Sequence, residues 1–350
     1  MRRTDSKIRV AILRVLRETD GSVGSTEIAE ALRIQGFDHS PRTIRLYLQE
    51  MAEEGLVAEA RRGRHGGRTI TPRGIEEIKD ALVIDRVGFT AARVDALTWQ
   101  MNFSPATGSG RIVLNITTVS EDQAEAALKE MIPVFEAGLS MGNFLAVARG
   151  GERLGAFEVP AHQVAFGTVC SVTVNGAFLS ERIPTVSRFG GVLEIANGEP
   201  ARFTDVIYYD GTTLDPLEVF IKGGLTTVRR AAATGCGRIG ASFREVPTAA
   251  LGHVSQLLRR LRRMGLGDDL LLGKPNKPLL DFPVHEGRTA LLLAGGLNPA
   301  AAVQEAGIPT HNFALSTLFE YSKLLHYSHV REYLKNSRPP KYQADEEEGR

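Results

Sequence analysis

Two groups of residues in this chain of 350 have types and spacing suited to chemistry. The first is cationic. Between Arg61 and Arg73 stand five arginines and no acid, and Arg61, Arg62, Arg64, His65 and Arg68 are interrupted by Gly63, Gly66 and Gly67. A flexible basic segment of that kind suits a phosphate backbone or a minor groove. Just upstream, Ser40 and Pro41 form an N-cap and first-turn signature, and Arg42, Thr43 and Arg45 lie off the apolar stripe Ile44, Leu48, Met51. That is where a recognition helix presents side chains to base edges. The plainer reading is a three-helix domain that mediates protein contacts, its arginines merely solvated. Helix order, a glycine-flanked hairpin and the sign of the charge together favour double-stranded DNA, while scarce aromatics leave little stacking surface for RNA.

The second group suits a small anion. Phe220-Ile221-Lys222-Gly223-Gly224 and Leu293-Ala294-Gly295-Gly296-Leu297-Asn298-Pro299 read as glycine pairs at strand ends, where backbone N–H groups can face an anion. Lys222 adds a charge, and Arg229, Arg238 and Arg244 are further carboxylate partners. Thr168, Cys170, Ser171, Asn175 and Asn298 complete the candidate effector-binding set. The run Gly167–Gly176 mixes β-branched and small polar residues and reads as a half-buried strand. Thr168, Cys170, Val172 and Val174 then share one face, and Val169, Ser171, Thr173 and Asn175 the other. Cys170 reads as a packed thiol, a pocket lining or a nucleophile, and no acid or base nearby in sequence supports the last. Neither glycine pair is a P-loop or dinucleotide fingerprint. No carboxylate pair, Ser-His-Asp set or Cys/His cluster at zinc spacing is recognisable, so no catalytic residue, metal or cofactor is expected.

The elements that position these groups begin with a helix on which Ile8, Ile12, Leu13 and Leu16 recur at helical spacing; Ser25 opens a second and Pro41 a third that Gly55 ends. Two extended pieces, 56–60 and 68–71, flank the arginine run, and Thr71-Pro72-Arg73 introduces a helix over about 74–82. Three helices and a hairpin make a winged helix-turn-helix. Beyond it, segments echo one another in order. Gly88–Arg93 resembles Gly224–Arg229, and Gly110-Arg111-Ile112 resembles Gly237-Arg238-Ile239 at the start of a strand. Helical stretches 121–136 and 248–264, buried strands 164–174 and 288–294, and Ile-Pro-Thr at Ile183 and Ile308 follow, with a joining segment around 190–215. Leu315, Leu318, Phe319, Ser322 and Leu325 predict one face of a C-terminal helix. The expected fold is α+β: a winged helix-turn-helix over 1–82, a duplicated two-lobed α/β effector domain over 84–330 with repeats at about 84–210 and 217–330, and a disordered acidic tail over 336–350. Two lobes leave a cleft for a ligand; the alternative is that duplication only doubles a dimerisation surface.

Charge is nearly balanced, 42 Lys+Arg against 41 Asp+Glu, which excludes a wholly basic coat but not a basic patch. Two cysteines make no disulfide framework, and no apolar run reaches membrane-spanning length. A cytoplasmic protein is expected.

Five motifs carry a family resemblance: Phe166–Gly176, Phe189–Ile195, Gly211–Glu218, Ile239–Glu245 and Gly295–Pro299. Together they resemble the NrpR family of nitrogen-regulation repressors, from about Ile84 to Leu325, with a winged helix in front as in that family. The resemblance implies a homodimeric repressor of nitrogen-assimilation genes, released from its operator by the dicarboxylate 2-oxoglutarate. A ligand-sensing adaptor acting through protein contacts is the rival class, and a Cys170-dependent enzyme the third.

Overall fold

The computed structural model describes residues 3–19, 22–34, 37–59, 67–80, 89–267 and 269–335. The chain divides into two compact units, Met1–Val87 and Gly88–Arg350.

The first unit contains α1 (Arg3–Glu18), α2 (Ser25–Ile34), α3 (Pro41–Glu53), the hairpin β1 (Val57–Glu59) and β2 (Arg68–Ile70), and α4 (Pro72–Asp80). Ser40 caps α3, its hydroxyl accepting the Thr43 N–H at 3.2 Å, and Pro41 fills the first turn. Ile44, Leu48 and Met51 are buried against Ile8, Ile12 and Leu16 of α1 and Ile28 and Leu32 of α2. Val23 bridges Arg68, adding a third extended segment to the hairpin. Thr71 ties the hairpin to α4 by donating to the Gly55 carbonyl at 2.7 Å and accepting from the Gly74 N–H at 3.1 Å. A Cβ at Gly74 would stand 2.2 Å from the Leu56 carbonyl oxygen, so α4 can lie this close only with glycine there. This is a winged helix. Arg61, Arg62, Arg64 and His65 lie outside the described residues, as does the tail over 336–350.

In the second unit the same succession of elements occurs twice. The first passage is α5 (Phe89–Gln100), β3 (Arg111–Ser120), α6 (Ala124–Glu136), β4 (Phe144–Arg149), a small hairpin of β5 (Arg153–Leu154) and β6 (Phe157–Glu158), β7 (Gln163–Val169), α7 (Val172–Ser180) and β8 (Val186–Ala196). After β9 (Glu199–Tyr208) and α8 (Pro216–Lys222) comes the second: α9 (Val228–Thr234), β10 (Gly237–Pro247), α10 (Leu251–Arg263), β11 (Asp269–Leu272), β12 (Arg288–Ala294), α11 (Asn298–Glu305) and β13 (His311–Glu320). The described chain closes with β14 (Leu325–His326) and α12 (Val330–Lys335).

These strands form two antiparallel five-stranded sheets, in orders β13-β3-β7-β4-β14 and β11-β12-β10-β8-β9. Each passage therefore gives its last strand to the other's sheet: β8 pairs with β10, and β13 pairs with β3. Hydrophobic cores are shared accordingly, with Leu257, Leu261 and Leu293 of the second passage packed among Ile112, Leu114 and Phe178 of the first.

Three local expectations are corrected. The segment around 190–215 is no mere joint; it contains most of the β8–β9 hairpin of the second sheet. The run 315–325 is not a helix but the end of β13, a short turn and the start of β14, because its Leu, Phe and Thr residues complete the ladder on β3. Finally, the strand expected to reach Val174 stops at Val169, and Val172–Ser180 is the helix α7. Val172 through Phe178 are all buried, so no one-sided periodicity marks this helix, and its Val and Thr residues favour strand locally. Tertiary burial overrides that preference.

Candidate functional site

In the first unit, Arg42 and Arg45 are exposed in the first two turns of α3 and Ser40 stands at its N-cap, bonded to Thr43. Arg45 also donates from Nε to the Ser25 hydroxyl at 3.2 Å, which fixes it against α2. The winged helix thus presents Ser40, Arg42, Thr43 and Arg45 together on the helix that such domains use for reading bases.

The second unit has its polar centre where the two passages meet. The two strand-to-helix turns there are built alike. Cys170 N–H donates to the Val113 carbonyl at 2.9 Å, and Gly295 N–H donates to the Gly240 carbonyl at 2.8 Å. Thr173 Oγ1 accepts the Val113 N–H at 3.2 Å, and Asn298 Oδ1 accepts the Gly240 N–H at 2.8 Å. By this correspondence Asn115 and Thr117 on β3 match Ser242 and Arg244 on β10. Thr117 donates to Asn312 at 2.9 Å within an uncharged pair. Its counterpart is an arginine.

Arg244 is 1% exposed. Its Nε donates to Asn175 Oδ1 at 2.6 Å and its Nη2 to Ser171 Oγ at 3.0 Å, both on the first passage, while Nη1 bonds the Ser242 hydroxyl. No carboxylate lies within ion-pair distance of it among the described residues. A guanidinium has five N–H donors, and a buried charge held only by neutral acceptors is costly unless something anionic joins it. Burial pushes the Arg244 pKa below its ordinary value.

Around it stand other polar groups. Asn175 donates to Ser187 at 2.9 Å, fixing which way its amide points. Cys170 and Tyr209 are near enough for the Arg244 charge to act on both, yet burial dominates and raises each, the Cys170 thiol up to about 12. Asn115 accepts the Leu315 N–H at 3.1 Å. Thr168 Oγ1 is buried without a hydrogen-bond partner. Asp215 caps α8 by accepting from Leu217 and Glu218 N–H at 2.9 and 3.3 Å; burial and then the Glu218 charge push its carboxyl up to about 7.

Residues 87–326 match the family model for NrpR regulatory domains NRD1 and 2. The chain belongs to the NrpR family. Residues 10–78 match a model of the ribonuclease R winged-helix domain. The global nitrogen regulator NrpRI of Methanosarcina mazei is 31% identical over 90% of this chain and 96% of its own length. The global nitrogen regulator NrpR of Methanococcus maripaludis is 28% identical over 91% of this chain but only 55% of its own length. A crystal structure of a nitrogen repressor-like protein from Methanococcus jannaschii shares the fold, with a TM-score of 0.58 at 24% identity, covering 68% of this chain and 98% of that one.

Within this NrpR regulatory unit the candidates from sequence separate. Thr168, Cys170, Ser171 and Asn175 come together near the seam, but on a strand end, a turn and a helix rather than on two faces of one strand. Gly295 and Gly296 form the matching turn; the Gly295 N–H is already bonded, and a Cβ at Gly296 would stand 2.2 Å from the Val169 carbonyl oxygen. Asn298 is structural, its amide spent on Gly240 and on the Leu139 carbonyl at 2.7 Å. Lys222, Gly223 and Gly224 are corrected. They end the helix α8, their N–H groups bond preceding carbonyls, and a helix C-terminus repels anions. Lys222 is exposed and pairs with Glu218 at 3.8 Å. Of the three further arginines, Arg229 donates to Glu130 at 2.8 Å, and Arg244 alone among them is buried. Ser242, Asn115, Tyr209 and Asp215 were not among the sequence candidates; Asn115 and Ser242 come from the two different sheets, Tyr209 from the turn after β9 and Asp215 from the N-cap of α8, so only the tertiary fold assembles them.

Proposed function

We propose that this protein is a DNA-binding repressor of nitrogen-assimilation genes, acting as a cytoplasmic homodimer whose operator affinity falls when a small dicarboxylate, 2-oxoglutarate, binds at the Arg244 seam. The observation that carries this reading is the buried guanidinium with only neutral partners, bridging the two passages. A carboxylate would supply the missing counter-charge through a bidentate, charge-assisted contact. Ser171, Ser242 and Asn175 would then orient it, and Asn115 and Thr168 offer polar groups for the far end of a five-carbon diacid. The relatives named as nitrogen regulators support the regulatory part, and the winged helix supports double-stranded DNA as the partner.

The regulatory logic follows from where Arg244 sits. It is rooted in β10 of the second passage, while Asn175 lies on α7 of the first and Ser171 at that helix's N-cap. An anion that draws the guanidinium away from these partners changes how the passages hold each other. Such a ligand weakens DNA binding only if it favours the released state; equal affinity for both states shifts nothing. A coupling of ~1–3 kcal/mol corresponds to about 5–150-fold in DNA affinity. A Cys170-dependent enzyme finds no support, since a thiol held so high is not a ready nucleophile.

A gel shift of the full chain on its own upstream DNA tests the proposal. Retardation that 2-oxoglutarate reverses is the expected result; retardation indifferent to every C4–C5 dicarboxylate would sink the effector assignment, and no retardation would sink the repressor.

A further inference from the structure

A second charged feature lies away from the Arg244 seam. Between α5, β13 and the turn joining β5 to β6 runs a groove of about 500 Å³. Arg93, Arg111, Arg153 and Lys323 line it, with Glu320 as the one acid and Phe319 among its apolar members. All four cations belong to exposed residues. Arg93 is held in place by backbone oxygens, donating to the Leu315 carbonyl at 3.1 Å and the Ser316 carbonyl at 3.0 Å. Leu315 sits at φ 51° in the irregular stretch of β13 between Phe313 and Thr317. The backbone there is bent, and two of its carbonyls fix an arginine at the groove. Arg229, its counterpart in the sequence echo, is instead paired with Glu130.

We propose that the acidic segment Asp345-Glu346-Glu347-Glu348 of this same chain docks in the groove. Charge favours it: four cations and one acid face the longest run of consecutive acids in the sequence. Length permits it. The described chain ends in α12, whose Leu334 carbonyl accepts from Arg149 of β4 at 2.7 Å. From β4 to β13 is three strand spacings, ~14 Å, and from Val119, in line with Arg149, to Leu114, opposite Thr317, is five residues, ~17 Å. The groove is therefore roughly 22 Å away on the diagonal. Ten residues from Lys335 to Asp345 reach up to ~34 Å.

Exposed ion pairs are individually weak. Tethering changes the balance, because attachment through a short stretch of the same chain supplies an effective concentration on the order of 1 mM, enough to hold a contact whose untethered Kd is ~0.1–1 mM.

The test uses the full chain with its acids neutralised: Asp345→Asn with Glu346→Gln, Glu347→Gln and Glu348→Gln. A synthetic peptide of residues 336–350 is titrated by NMR at low salt against this variant, against the wild type, and against the variant carrying Arg153→Glu and Lys323→Glu. Submillimolar binding to the neutralised variant is expected, several-fold weaker on the wild type, where the chain's own segment competes, and lost on the charge-reversed groove. The proposal is overturned by equal binding to wild type and neutralised variant, by indifference to the charge reversal, or by no peptide binding at all. Inorganic phosphate binding in the groove without peptide binding would likewise overturn it, in favour of a small-anion site.

Discussion

Replacing Arg244 by Met separates a ligand-binding arginine from a structural one. The substitution removes three hydrogen bonds to neutral acceptors, each worth roughly 1.5–3 kcal/mol when the donor is charged. It also removes a buried charge that no carboxylate offsets, whose burial costs several kcal/mol. The two effects oppose, so the ligand-free Arg244→Met protein should unfold within about 2 kcal/mol of the wild type. Ligand response should differ sharply. At a hundredfold excess over Kd, an effector that binds only the folded state adds ~2.7 kcal/mol. For a unit of this size, at ~2–4 °C per kcal/mol, that raises Tm by roughly 5–11 °C. Loss of a charge-assisted contact of ~1.5–3 kcal/mol weakens binding at least about tenfold, so the variant's shift should fall by half or more at the same ligand concentration. Differential scanning calorimetry with and without 2-oxoglutarate reads both quantities. An undiminished ligand shift in Arg244→Met would refute the reasoning. So would a ligand-free loss of 4 kcal/mol or more, which would make the arginine a structural strut.

Calorimetric titration should give one 2-oxoglutarate per chain, since Thr117 stands where the second arginine would be; two equal sites would contradict that assignment. Asp215 titrates near 7 when folded against ~3.9 when unfolded, so its contribution is intact below about 4 and is lost as pH rises through 7. Asp215→Asn keeps the cap and should gain stability relative to the wild type across that window; a constant difference in denaturant melts from pH 4 to 8 would speak against it. With Cys170 buried and its thiol held high, a thiol reagent at pH 8 should label Cys236 promptly and Cys170 only after unfolding, and Cys170→Ala should still respond to effector. In the winged helix, Arg64→Ala with Arg68→Ala should lower the slope of log affinity against log salt by up to ~1.8 per protomer for every sequence, whereas Arg42→Ala should blunt sequence preference by ~1–3 kcal/mol. An unchanged salt slope would take the wing off the DNA.

The winged helix was legible because its signals are local. Ser40-Pro41 and the stripe of Ile44, Leu48 and Met51 each specify structure within a few residues. The exchange of β8 and β13 between the two passages was not legible, because a strand's alternation says which face is buried but not which strand lies beside it. The same limit hid the seam. Arg244 stands out from Arg229 and Arg238 only when β10 is laid against β8 and α7, and Asn175 reaches it only because residues that read as strand wind into a helix. The glycine pair after Lys222 misled for the opposite reason. Gly-Gly marks a turn, and whether that turn opens a helix or ends one decides whether its dipole attracts or repels an anion.

The most direct test of the effector site is a crystal structure of the full chain grown with saturating 2-oxoglutarate. The account predicts one ligand per chain at the seam, a carboxylate paired side-on with the Arg244 guanidinium, and the bonds from Arg244 to Asn175 and Ser171 rearranged. Ligand bound elsewhere, with Arg244 still held by Ser171, Asn175 and Ser242 as now, would contradict it.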